Sequence, residues 1–223
     1  MLAAGKYATA RAVAGRLLRR VNLAIRENAL PEYSVDLPSQ LRALCYRAAW
    51  ERCLETDAYD FILADQSLLQ FQRDSKKLSY SFIECPLDIK PFADFAYERC
   101  GEGWQVLESD LQIEYEVYMN SEQSERSVTP IRYDYEPLLY RPGLHPAGHL
   151  HFGVRNEIRL SVRKILTPVS FVLFIIRNFY PIKWELLLAI TPELKEFSDI
   201  RNNLPDVPSE FIHKWDEFEY HLK

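Results

Sequence analysis

Three of the chain's five histidines, His145, His149 and His151, fall within seven residues in the stretch HPAGHLHFGVRNEIRLS. On a strand the side-chain period is two, so His149 and His151 share one face while Leu150 and Phe152 take the other. Two imidazoles at that spacing can ligate one metal ion or hold one phosphate. Alternatively, one can carry a proton while a nearby cation stabilises phosphate charge. Arg155 and Arg159 continue the alternation and supply that cation. His145, upstream of Pro146 and Gly148, is a third candidate for the same anion. Asp134, in VTPIRYDYEPLLYRP, is the carboxylate expected to orient a histidine. A zinc centre needs a third ligand, and His145 or Glu157 is available. The HxH pair is a weak metal signal by itself, with no HExxH and no cysteine cluster beside it. No metal ligand set and no cofactor are therefore assigned, and a divalent ion stays open. The competing interpretation is structural, with His149 and His151 bonded to backbone or to Asp134 and Glu136.

The remaining polar clusters point to structure. Asp65-Gln66-Ser67 is of the kind that orders a turn. Ser67 lies in no GxSxG elbow, and there is no Walker loop or dinucleotide glycine pattern. RNFYPIKW, with Arg177, Tyr180, Lys183 and Trp184, reads as an aromatic anchor at a helix end.

The histidine segment sits in a β-rich middle. FILADQSLLQFQRD and KLSYSFIECP alternate on either side of Asp74-Ser75-Lys76-Lys77, which predicts a hairpin. LQIEYEVYMN also alternates, through Ile113, Tyr115, Val117 and Met119, and is expected to be a strand. With IRYDYEP, HLHFG and NEIRLSV this makes five or six antiparallel strands. Before them, Val13, Leu17, Val21, Ala24 and Ile25 predict a helix from about Tyr7 to Asn28. A second helix opens at Asp36-Leu37-Pro38 and runs through Leu41, Leu44, Ala48 and Cys53. Pro91 to Arg99 is a short helix. Thr167-Pro168 starts an almost wholly apolar, buried helix, and helices broken at Pro192, Pro205 and Pro208 follow. The expected class is α+β: residues 1–56 form a helical hairpin packed on the core, and residues 57–223 form the α+β core with its C-terminal helices, in one compact domain.

Composition bounds the function. The chain has 223 residues, 48% hydrophobic and 26% charged, with a net charge of −5. That excludes a global basic field for nucleic acid or anionic membrane. Local basic stretches remain: six Lys/Arg against Glu27 over residues 1–30, and Arg155, Arg159, Arg163, Lys164 and Arg177 against Glu157. Two such stretches meeting in space would hold a polyanion. Four scattered cysteines, with no CxxC, fit reduced thiols of a cytoplasmic protein. No membrane partner is expected, since the most apolar run, Ile165–Ile176, is too short to span a bilayer.

Three segments together, DQSLLQF, HPAGHLHFG and LTPVSFVLFIIRNFYPIKW, resemble an uncharacterised prokaryotic family known only as a domain of unknown function. The resemblance covers most of residues 60–184. It implies a setting among mobile and defence-type bacterial genes and brings no reaction with it. A fainter likeness joins IRYDYEP and HPAGHLH to small toxins of toxin–antitoxin loci, with Arg132, Tyr133, Asp134, His145, His149 and His151 as the matching residues. Those toxins are much shorter, and this chain lacks their adjacent histidines.

The resulting expectation is a component of an antiphage-defence or toxin–antitoxin-type system that acts on or through nucleic acid. If it is an enzyme, the chemistry is nuclease-like. His149, His151 and Asp134 would form the site, and Arg155, Arg159 and His145 would bind the anion. The alternative is a non-catalytic subunit that binds a larger protein through Leu17, Val21 and Trp184, its histidines being structural.

Overall fold

The alternation in the middle of the chain closes into one sheet. The computed structural model describes residues 2–119, 121, 125–155, 158–190, 195–218 and 221–222. Eight strands lie side by side in chain order: β1 (Ala24–Glu27), β2 (Phe61–Leu63), β3 (Leu68–Arg73), β4 (Leu78–Ile83), β5 (Ile131–Tyr135), β6 (Gly148–Phe152), β7 (Ile158–Val162) and β8 (His221–Leu222). Neighbours from β1 to β7 are antiparallel, and β8 runs parallel to β7. The β3–β4 hairpin turns where expected, with Asp74 accepting from the backbone N–H groups of Lys76 and Lys77. The architecture is α+β.

One face of the sheet is aromatic and aliphatic. Phe71, Tyr80, Tyr133 and Leu150 stand in register across four strands, all 3% exposed or less. Two helices cover that face. In α1 (Ala4–Arg20), Ala14, Leu17 and Leu18 are buried. In α6 (Pro168–Phe179), Phe171, Val172, Ile175 and Ile176 are buried. Each of the larger side chains among these contributes about 2 kcal/mol by leaving water. The start of α6 is a capping box: Thr167 accepts from the Ser170 backbone N–H, and the Ser170 hydroxyl accepts from that of Thr167.

The opposite face is partly covered by α3 (Tyr46–Glu55), α4 (Phe92–Cys100) and α5 (Glu108–Met119), whose Trp50, Cys53, Phe95 and Tyr115 join Ile62 and Leu68 in a second cluster. The first helix and α3 therefore lie in separate clusters on opposite faces and do not pair as a hairpin. The first helix also ends early. Asn22 adopts a left-handed backbone (φ 51°), and Ala24–Glu27 pairs with β2. Ile25, which extended the helical spacing, is exposed, so strand pairing overrides the local pattern. The second helix breaks at Cys45, separating α2 (Leu37–Arg42) from α3.

In LQIEYEVYMN, residues 111–119 are helical, not extended, and Asn120 lies outside the described residues. Glu108 and Asp110 favour the positive end of a helix. Leu111 and Tyr115, four apart, turn inward, and Tyr115 packs on Phe92 and Phe95. Two further helices, α7 (Pro181–Ile190) and α8 (Lys195–Asn202), follow α6, and Pro192 lies outside the described residues. Among the described residues no helix is long and apolar enough to cross a membrane.

Candidate functional site

If one face of an alternating sheet is apolar, the other faces the remaining residue types. Here it forms two polar rows. Gln72, Ser79, Asp134, His149 and Ser161 are successive register partners from β3 to β7. Gln70, Ser81, Arg132, His151 and Arg159 form the parallel row. Asp134 is thus opposite His149, and His151 lies between Arg132 and Arg159.

The histidines meet as the strand period requires: His149 Nε2 and His151 Nε2 are 2.9 Å apart. Their protons can be placed by elimination. His149 Nδ1 lies 3.0 Å from the Pro146 carbonyl, which only accepts, so Nδ1 carries the proton. Burial, followed by the neighbouring His151, pushes the His149 imidazole down to about 4, so it is neutral at pH 7. Its Nε2 is then an acceptor, and His151 Nε2 donates to it. His151 Nε2 is also 3.4 Å from Asp134 Oδ2.

Asp134 anchors this cluster. The Ser79 hydroxyl donates to Oδ1 and Arg132 Nε donates to Oδ2, both at 2.7 Å. Burial would raise this carboxyl, but the His151 hydrogen bond, the Arg132 charge and the Ser79 hydroxyl outweigh it and hold it well below the usual carboxylate range. His149 and His151 are 1% and 3% exposed. His145 packs edge-on against His149, ring centroids 4.8 Å apart. Among the described residues, its Nδ1 is the one buried side-chain nitrogen or oxygen without a hydrogen-bond partner.

Beside the cluster the polar rows open into a cleft of about 360 Å³. Leu37 and Leu41 of α2 and Tyr46 of α3 wall one side, while Gln72, Ser79, Ser81, Arg132 and Asp134 line the sheet side. Arg132 keeps a side-chain exposure of 35% there. The cleft's charged residues are Arg42, Lys77 and Arg132 against Asp134 and Glu136, and both carboxylates are already paired.

Several expected site residues fall elsewhere. Neither His149 nor His151 lines the cleft, so a direct proton transfer from them to a ligand there does not match their burial. Both make the kind of contacts that a structural role requires. Glu136 does not meet them and pairs instead with Lys77 at 3.0 Å. Arg159 is exposed opposite His151, and Arg155 is exposed in the β6–β7 turn. Glu157 lies outside the described residues. Leu17 and Val21, expected to face a partner, are 5% and 0% exposed in the chain's own core. Trp184 packs against that core with Arg177 over its ring. Ser79, Gln70 and Gln72 were not singled out as site residues. Their signal was present as the polar half of the hairpin's alternation. Arg132 stood out only through the toxin likeness.

The DQS segment is structural. The Tyr180 hydroxyl, just past α6, donates to the Asp65 carboxylate at 3.0–3.1 Å, Asp65 accepts from the Ser67 backbone N–H, and Ser67 Oγ accepts from that of Cys85. This joins the Asp-x-Ser turn to the RNFY segment, two of the three segments that carried the resemblance.

The family model described as "Uncharacterized conserved protein (DUF2290)" matches residues 24–223. The chain belongs to the DUF2290 family. The matched span of this DUF2290 chain starts at β1 and includes both polar rows. No curated protein and no solved structure shows a significant match.

Proposed function

We propose that this DUF2290 chain acts on or through nucleic acid, taking one phosphate-bearing nucleotide of a single strand into the polar cleft. The observation that supports this is Arg132: a partly exposed guanidinium at the wall of a nucleotide-sized cleft, held in place through Asp134. Gln72 and Ser81 offer hydrogen bonds to sugar or base edges, and Leu41 and Tyr46 offer an apolar surface. A cleft of this size admits a single strand, not a duplex. His149 and His151 act in this proposal as positioning residues that hold Asp134, and Asp134 holds Arg132. Arg155 and Arg159 extend the positive charge along the strand path. A cytoplasmic location belongs to the same proposal and rests on the scattered, unpaired cysteines, while a defence or toxin–antitoxin-type setting rests on the resemblance alone.

The test is fluorescence anisotropy with a labelled single-stranded oligonucleotide over a salt series. Binding should weaken as salt rises, because phosphate contacts release counterions. Arg132→Gln should weaken it by about tenfold or more, the usual value of a charge-assisted hydrogen bond. Undetectable binding at low salt would refute the proposal. The alternative, a non-catalytic subunit of a larger assembly, is favoured by the apolar outer face of α5, where Ile113 and Val117 are 65% and 68% exposed.

A further inference from the structure

The hydrogen-bonded histidine cluster gathers atoms that can also ligate a metal ion. Two imidazole Nε2 atoms and a carboxylate oxygen point at one another from adjacent strands. We infer that Asp134, His149 and His151 form a binding site for a divalent transition-metal ion. The inference rests on the cluster alone and is independent of the ligand in the cleft.

The donor atoms all lie within 4.8 Å of one another. A zinc ion bound tetrahedrally at about 2.05 Å needs ligand atoms about 3.3 Å apart. The Nε2–Nε2 separation of 2.9 Å and the His151 Nε2–Asp134 Oδ2 separation of 3.4 Å lie on either side of that value, and the third pair, within 4.8 Å, closes to it as the ion binds. The surroundings match what metal-ligating side chains need. The Pro146 carbonyl fixes the His149 tautomer, leaving the Nε2 lone pair directed at the cluster. Ser79 and Arg132 hold the carboxylate in place. For both Nε2 atoms to bind the ion, the proton on His151 Nε2 moves to Nδ1 of the same ring, which keeps that imidazole neutral.

A second observation points the same way. The neighbouring His145 has the buried Nδ1 that finds no hydrogen-bond partner among the described residues, and its ring lies against His149. Three protein ligands leave a coordination position open to a further ligand. Two imidazoles and a carboxylate without thiolate suit zinc, iron(II) or manganese(II) better than copper(I) or an iron–sulfur cluster. Cys53 and Cys85, the buried thiols, belong to the cluster of α3, α4 and α5.

The experiment uses the purified full chain, stripped with chelator and titrated with Zn²⁺ against a chromophoric competitor. One equivalent is expected to bind, and His149→Ala and Asp134→Asn should each lower the affinity by at least about a hundredfold. Because these residues are buried, a variant that fails to fold would be uninformative. The wild type loaded with Co²⁺ therefore serves as the second measurement. Its X-ray absorption should show a nitrogen and oxygen shell with two imidazoles. No zinc binding by the wild type, binding unchanged in folded variants, or sulfur in the cobalt shell would overturn the inference.

Discussion

Asp134 lies directly opposite His149 across β5 and β6, and its Oδ2 is shared between Arg132 on its own strand and His151 on the next. This one carboxylate joins the buried histidines to the partly exposed guanidinium of the cleft. A change among the histidines should therefore be felt at Arg132, although neither imidazole reaches the cleft.

The buried histidine pair should be needed for stability. His149→Ala with His151→Ala leaves the Pro146 carbonyl without its donor and Asp134 without one of its partners. Each loss costs about 1–3 kcal/mol. Urea unfolding of the double variant should show a lower midpoint with an unchanged slope. An unchanged midpoint would mean that the histidines are more open to solvent than their burial indicates.

Asp216 predicts an acid-sensitive tie between the loop after β5 and the C-terminal segment. It accepts from the Tyr140 hydroxyl and from the backbone N–H groups of Gly143 and His213. Burial would raise its carboxyl, but these bonds win and hold it below the ordinary value. A depressed folded pKa contributes stability above the unfolded carboxylate value, near pH 4, that is lost as pH falls through the folded value. Asp216→Asn should be less stable than wild type at pH 7, with the gap closing in acid. A gap that stayed constant down to pH 2 would show that the charge is not involved.

The four cysteines should separate by reactivity. Burial pushes the Cys53 and Cys85 thiols up to about 11, while Cys45 and Cys100 are exposed. At pH 8 a disulfide reagent should titrate two thiols quickly and all four only in denaturant. Four fast thiols in the native protein would contradict the packing of the second cluster.

Much of the fold was legible because its signals are local. The β3–β4 hairpin, the Thr167 cap and the apolar α6 are each written in one short stretch of chain. The shared face of His149 and His151 follows from the strand period alone. Other features depended on partners distant in the chain. Leu111 and Tyr115 fit a strand or a helix equally until Phe92 and Phe95 are placed beside them. Ile25 fitted a helix until β2 offered it a strand to pair with. The site was half legible for the same reason. Asp134 and the histidines stood out by type, but the register that sets Arg132 beside His151 and Ser79 beside Asp134 is a property of the assembled sheet. Leu17 and Val21 looked like a free apolar face because α6, which covers them, lies far along the chain.

The central claim is that the polar face of the sheet is the surface that takes nucleic acid. Amide chemical-shift perturbation on addition of a short single-stranded oligonucleotide tests it most directly, because it reports the place of contact as well as binding. The expected shifts cluster on Gln72, Ser79, Ser81 and Arg132 and on α2, and Arg132→Gln removes them. Shifts confined to α5 around Ile113 and Val117, or none at saturating oligonucleotide, would contradict the claim.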